Sequence, residues 1–189
     1  MARQEAIEQY QKALKMAQKR HRNDVVHGRY PYPQVLEEFF DEYMSAGHVD
    51  MGRVEIPMEQ IVGTVTRGRK STFSSDFMPL LPPETEFANK WIRLCMAHLT
   101  DEGIREPIQC VEYMGRFYVL EGNKRVSVLK SYEASTIPGF VTRIVPPYSD
   151  EPKVRAYYEF MEFYDDSGFR FPSGFYVQTG HSYVYLYAL

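Results

Sequence analysis

Cysteine is nearly absent: Cys95 and Cys110 are the only two in 189 residues, and neither belongs to a Cys-x-x-Cys pair or a Cys/His cluster. That excludes a zinc knuckle and a disulfide scaffold. The five histidines (His21, His27, His48, His98, His181) are scattered, so no metal site is expected. Two thiols in apolar surroundings suit a reducing compartment, and the chain reads as cytoplasmic. No apolar run approaches the ~18 residues of a membrane span, and the first residues lack a signal-peptide core, so no membrane partner is expected. A formal net charge of −3 argues against a simple nucleic-acid coat, which is usually strongly basic. Tryptophan occurs once, at Trp91, as an expected core anchor. No internal repeat or low-complexity linker is present.

What the chain has in quantity is aromatic residues, 15 Tyr and 12 Phe, enough to build a core or an interface with few aliphatics. Its charge is uneven. Residues 1–30 carry seven Lys/Arg against three acids, a balance of +4, which leaves −7 for the rest. Lys12, Lys15, Lys19 and Arg22 recur at i, i+3, i+7 and i+10 and share one helix face. That row is either a solvated face or a contact for nucleic-acid phosphate, salt-sensitive and with little sequence choice.

Helical periodicity covers 3–22, with Ile7, Tyr10, Leu14 and Ala17 inward, and a second helix is expected at about 34–45. Together they predict an N-terminal helical hairpin. Glu55 to Val62 reads as a first strand, at an edge because Pro57 cannot donate to a ladder. A polar, basic loop follows from Gly63 to Thr72. An amphipathic helix is expected at 85–101, on a stripe of Phe87, Trp91, Leu94, Cys95 and Leu99. Two strands, 107–113 and 116–121, meet at the Met114-Gly115 turn. Then come a helix from about Asn123 to Glu133, a strand at 139–145 and a helix at 150–164 burying Val154, Tyr157 and Met161. The last residues, 175–187, alternate as a hairpin around Thr179-Gly180. Its Tyr/Val ribbon needs covering, by the body or by a second copy in a homodimer. The expected division is 1–50 as the hairpin, 51–147 as the main domain, and 148–189 as a C-terminal helix and aromatic tail.

Chemistry concentrates where the strand Phe117-Tyr-Val-Leu-Glu121 runs into Gly122 and a helix starts at once with Asn123, Lys124 and Arg125. Glycine permits the sharp turn and a close ligand approach. The new helix offers unpaired N–H groups and the positive end of its dipole to an anion. Lys124 and Arg125 oppose that dipole, which makes sense if an anion sits there. The local pattern also fits a surface turn whose charges point to water.

The order of the motifs adds to this. An Ile-Pro strand, a basic loop, an amphipathic helix, Gly103-Ile104 before Pro107-Ile108, the Gly-Asn-Lys-Arg turn, and Thr136-Ile-Pro-Gly-Phe-Val141 follow one another. Over residues 54–146 this order resembles the ParB/sulfiredoxin superfamily, whose ParB-type members carry a Gly-Glu-Arg-Arg signature at the same strand–helix turn. The resemblance implies an α+β fold, a small mixed β-sheet with packed helices. In that family the domain binds CTP in ParB-like clamps or ATP in sulfiredoxins, and a kinase branch phosphorylates free serine. By position, the phosphate would be held by Gly122, Asn123, Lys124 and Arg125, faced by Arg67, Arg69, Lys70 and Ser71, with Thr72 nearby. The implied cofactor is a nucleoside triphosphate with Mg²⁺.

Departures from the pattern narrow the function. Sulfiredoxin chemistry needs a thiolate in its Gly-Cys-His-Arg turn, and Asn123 stands there instead. The ParB signature's glutamate is replaced by the same Asn123. Glu121 is the candidate catalytic acid, with Asp76 as a lesser one. The expectation is a ParB-like nucleotide- or nucleic-acid-binding domain in a regulatory or DNA-associated role. The alternatives are a small phosphotransfer or nuclease enzyme on the same fold, or an interaction module that has lost nucleotide binding.

Overall fold

The computed structural model describes residues 2–40, 46–100, 103–104, 106–167, 175–179 and 182–186, with backbone only at 69–70 and beyond 162. Its first element, α1 (Ala2–Val26), buries Ala6, Tyr10, Ala13 and Ala17, a stripe of mostly small side chains. Small residues let the helix approach closely, so the expected inward residues Ile7 and Leu14 end up at its flanks, half-buried. Lys12, Lys15, Lys19 and Arg22 lie exposed on the other side.

β1 (Gln34–Val35) and α2 (Leu36–Phe39) follow. The long second helix expected at 34–45, and with it the helical hairpin, is therefore replaced among the described residues by a two-residue strand and one helical turn, with 41–45 outside the described residues. Val35 has extended backbone because it pairs with Thr64, and pairing overrides helical periodicity. The expected strand 55–62 is likewise two. β2 (Gly47–Pro57) starts eight residues early, a short 3₁₀ turn occupies Met58–Gln60, and β3 (Ile61–Thr64) begins a separate strand. Pro57 does sit on an edge strand, since β2 ends the sheet beside β6 among the described residues.

α3 (Glu86–His98) is capped by Thr85, whose hydroxyl accepts the Ala88 N–H at 3.2 Å. β4 (Ile108–Tyr113) and β5 (Arg116–Glu121) form the expected hairpin. Met114 and Gly115 both take positive φ, 50° and 76°, as the twist of a two-residue hairpin requires. α4 (Asn123–Ser131) and β6 (Thr136–Val145) come next, then α5 (Pro152–Ser167). α5 buries Val154, Ala156, Tyr157 and Phe160, while Met161 stays half-buried. β7 (Phe175–Thr179) and β8 (Ser182–Leu186) pair antiparallel as a separate two-stranded sheet, as expected; its turn lies outside the described residues.

The main sheet is mixed, in the order β1-β3-β5-β4-β6-β2. β1, β3 and β5 run parallel, as do β4 and β6, while the β5–β4 and β6–β2 pairs are antiparallel. β2 and β3 lie four places apart in this order but are joined by three residues. A flat sheet would separate them by about 19 Å, and four chain steps reach at most about 14 Å. The sheet must therefore curl. Ile56, Met58 and Ile61 from this junction meet Phe117, Val119, Val141, Val126 and Leu129 inside the curl.

Two further clusters lie among the described residues. One joins α1 to α3 and α4 through Tyr10, Trp91, Cys95 and Val128, with the Tyr10 and Trp91 rings edge to face, 5.2 Å apart. The other lies under Leu36, Val65, Val111, Tyr118 and Ile144. α4 is thus gripped from two sides, Val126 and Leu129 facing the sheet and Val128 facing the helices. The fold class is α+β with an N-terminal helix and a six-stranded mixed sheet.

Candidate functional site

The start of α4 is built by Gly122. Its φ of 107° lies in the left-handed region, and a Cβ there would meet Ile108 Cγ2 at 2.5 Å. Only glycine turns β5 into α4 this tightly. The first α-helical bond runs from Val126 N–H to Gly122 O at 3.1 Å. The N–H groups of the first turn have no acceptor within the helix, and Gly122 has no side chain to cap them.

This end of α4 opens on a cavity of about 560 Å³, within the range of small-molecule sites. One wall is the turn itself, Glu121, Gly122, Asn123, Lys124 and Arg125. Lys90, Arg93 and Leu94 of α3 form a second wall, and Thr64, Thr66 and Phe73 a third. Glu106 and Leu120 close the rim. Among the described residues, four cationic side chains from two helices thus converge on one space, with Phe73, Leu94 and Leu120 as its apolar part.

The cations are not equivalent. Lys90 Nζ pairs with Glu86 at 2.6 Å, and this pairing, helped by Lys124 and Arg93, holds the Glu86 carboxyl below the usual range. Lys124 Nζ sits 5.0 Å above the centre of the Phe87 ring. Arg125 is held twice: Nη1 donates to Pro107 O at 3.2 Å and Nη2 to Glu106 Oε2 at 2.5 Å. Asn123 Oδ1 is a buried acceptor with no donor. Such an atom costs free energy unless a ligand or water supplies a proton.

The opposing basic segment is placed differently from the sequence expectation. Arg67–Thr72 forms a 3₁₀ turn, and Arg67 is exposed, donating to Glu37 O at 3.4 Å. Neither Arg67 nor Ser71 lines the cavity, and the side chains of Arg69 and Lys70 lie outside those described. Lys90 and Arg93 take the facing position. Sequence reasoning passed over them because they alternate with the buried stripe of α3 and read as its solvent face. Their three-residue spacing, on the helix one turn from Phe87, was the available signal.

Glu121 lies exposed on the cavity wall; Asp76 does not line it. Asp76 instead accepts from the Ser74 hydroxyl at 2.5 Å, within a turn. Cys95 and Cys110 are both buried away from the cavity, their thiols pushed up by burial. Both therefore stay protonated and unreactive near neutral pH. Among the described residues no group of three or more His, Cys, Asp or Glu could hold a metal ion, and no helix is long and apolar enough to cross a membrane.

No protein-family model matches the chain, and no curated protein matches it. Among solved structures, it is similar to the sulfiredoxin from Arabidopsis thaliana, at 22% identity over 47% of this chain and 82% of that one, with a TM-score of 0.33.

Proposed function

We propose that this chain binds a nucleotide by its phosphates at the start of α4, with Mg²⁺ accompanying a triphosphate, in a regulatory or nucleic-acid-associated role. The observation that carries the reading is the convergence of Lys90, Arg93, Lys124 and Arg125 with a helix N-terminus on one cavity. Preorganised N–H groups and cations in a partly enclosed space are what an anion needs. The apolar part of the cavity suits a ligand with more than a phosphate, and the donorless Asn123 Oδ1 suits one that also brings a hydroxyl or amine.

The test is a melting-temperature screen with CTP, ATP, GTP and UTP, each with Mg²⁺. A ligand that binds only the folded state raises stability by RT ln(1 + [L]/Kd). One nucleotide is expected to shift melting, and a Lys90→Ala/Lys124→Ala double variant to lose the shift while keeping its far-UV spectrum. No shift from any of the four at millimolar concentration sinks the reading.

Glu121 favours a second reading in which the bound phosphate is transferred or hydrolysed, since its carboxylate borders the same cavity. Glu121→Gln then removes turnover but leaves the melting shift in place. Equal loss of both returns Glu121 to a structural role.

A further inference from the structure

Glu106 is an odd lining for a cavity of cations. Its side chain is 80% exposed, yet its Oε2 lies 2.5 Å from Arg125 Nη2, whose own side chain is only 17% exposed. The pair lies between the loop just before β4 and the first turn of α4. It joins a nearly free carboxylate to a guanidinium that faces the cavity.

We propose that Glu106 is an internal anion: its carboxylate occupies, on Arg125, the place that a ligand oxyanion takes, and swings into water when the ligand arrives. This rests on the anion-binding reading given above and concerns how that site is regulated.

The geometry supports displacement. Arg125 keeps its orientation without Glu106, because Nη1 remains bonded to Pro107 O and the side chain lies alongside Gly122. The next residue, Pro107, restricts the Glu106 backbone to extended conformations, so the carboxylate leaves by side-chain rotation alone. An exposed carboxylate returns to water without a desolvation cost. Exposed ion pairs are weak, so the contact lowers ligand affinity by a small factor, about twofold to fivefold, and does not block the site. A second effect is selectivity. Weak monoanions compete poorly with a carboxylate already in place, whereas a polyphosphate gains several contacts at once.

The experiment is titration of the full chain with inorganic tripolyphosphate by calorimetry, comparing wild type, Glu106→Gln and Glu121→Gln. Far-UV spectra establish that each is folded. Glu121→Gln removes the same charge from the same cavity lining at a residue not paired with Arg125, so it reports the loss of one lining charge without the Arg125 contact. The proposal expects Glu106→Gln to bind about twofold to fivefold tighter than wild type, and tighter than Glu121→Gln. It is overturned if Glu106→Gln binds equally or more weakly, which would make Glu106 an aid to positioning Arg125. It is overturned too if both variants tighten by the same factor. If wild type binds and only the Glu106 comparison fails, the anion site stands without its gate. If none of the three binds, both readings fall together.

Discussion

Glu112 and Arg143 are register partners on the parallel strands β4 and β6, and their side chains form an ion pair within the protein. Glu112 is 2% exposed, and its second oxygen accepts the Gly115 N–H at 2.6 Å. One carboxylate thus secures both the β4–β6 pairing and the β4–β5 turn. A buried pair of this kind is weak evidence for added stability, but removing one partner strands the other. Glu112→Ala is expected to destabilise by about 3 kcal/mol, read as a lower urea midpoint at unchanged slope. Glu112→Gln, which can still accept from Gly115, should lose less. Equal loss in the two would mean that the Gly115 bond contributes nothing.

Lys130 donates to Ile61 O at 2.9 Å and lies 5.0 Å from the Phe77 ring centre. Burial lowers its pKa to about 8, partly opposed by Asp76. The folded pKa is below that of the unfolded lysine, so between about pH 8 and 10 the unfolded chain binds more protons and the penalty of burying the charge fades. A Lys130→Met variant lacks this penalty. The stability of wild type relative to the variant should therefore rise between pH 7.5 and 9.5, measured by urea unfolding at each pH. A flat difference would show that Lys130 titrates normally.

Asp24, at the end of α1, is held by Arg20 at 3.0 Å, Arg29 at 2.9 Å and the Ser75 hydroxyl at 2.5 Å. The Ser75 bond is the largest influence and lowers its carboxyl pKa; burial opposes it, and Arg29 and Arg20 add to the lowering, so the net shift is downward. Its contribution is present above the unfolded pKa of about 4 and is lost as pH falls through the lower folded value. Asp24→Asn should flatten the acid limb of the unfolding profile and release the end of α1 to faster amide exchange. An unchanged acid limb would assign that limb to other carboxylates.

Gly122→Ala is expected to cost about 2 kcal/mol or more, from a left-handed backbone and a Cβ that meets Ile108. For a chain of this length that is a fall in melting temperature of roughly 4–8 °C. Tripolyphosphate binding should fall further than melting does, because the turn carries the N–H groups. A variant that melts lower but binds as wild type would detach the turn from ligand binding.

Trp91 Nε1 donates to Ser127 Oγ at 2.8 Å, and both residues are fully buried. Ser127→Ala leaves the indole N–H without that acceptor and should cost about 1–3 kcal/mol. Because Trp91 is the single tryptophan, its emission reports the change directly. Native emission should be blue and shift red on unfolding.

Much was legible in the sequence because it depended on neighbours along the chain. Period-two alternation on either side of Met114-Gly115 could only be a tight hairpin, and the amphipathic stripe around Trp91 could only face a core. The strand–glycine–helix turn at Gly122 was visible for the same reason: strand, φ-permissive residue and helix start are consecutive. Pro57 announced an edge strand through its missing donor.

What the tertiary structure decided was long-range. Gln34–Val35 is a strand because β3 lies beside it, and nothing local says so. Pro57 to Ile61 is a junction because the sheet curls, and curling is a property of six strands together. Lys90 and Arg93 reach the cavity because α3 packs beside α4, a relation set by Trp91, Ser127 and Val128 in space. Glu112 looked like one acid among 25 until β6 brought Arg143 alongside. Local patterns determine most elements, since these follow backbone preference and periodicity, but strand pairing overrides them at Gln34–Val35. Which side chains share a site is decided by contacts between distant segments, and those exist only once the elements have packed.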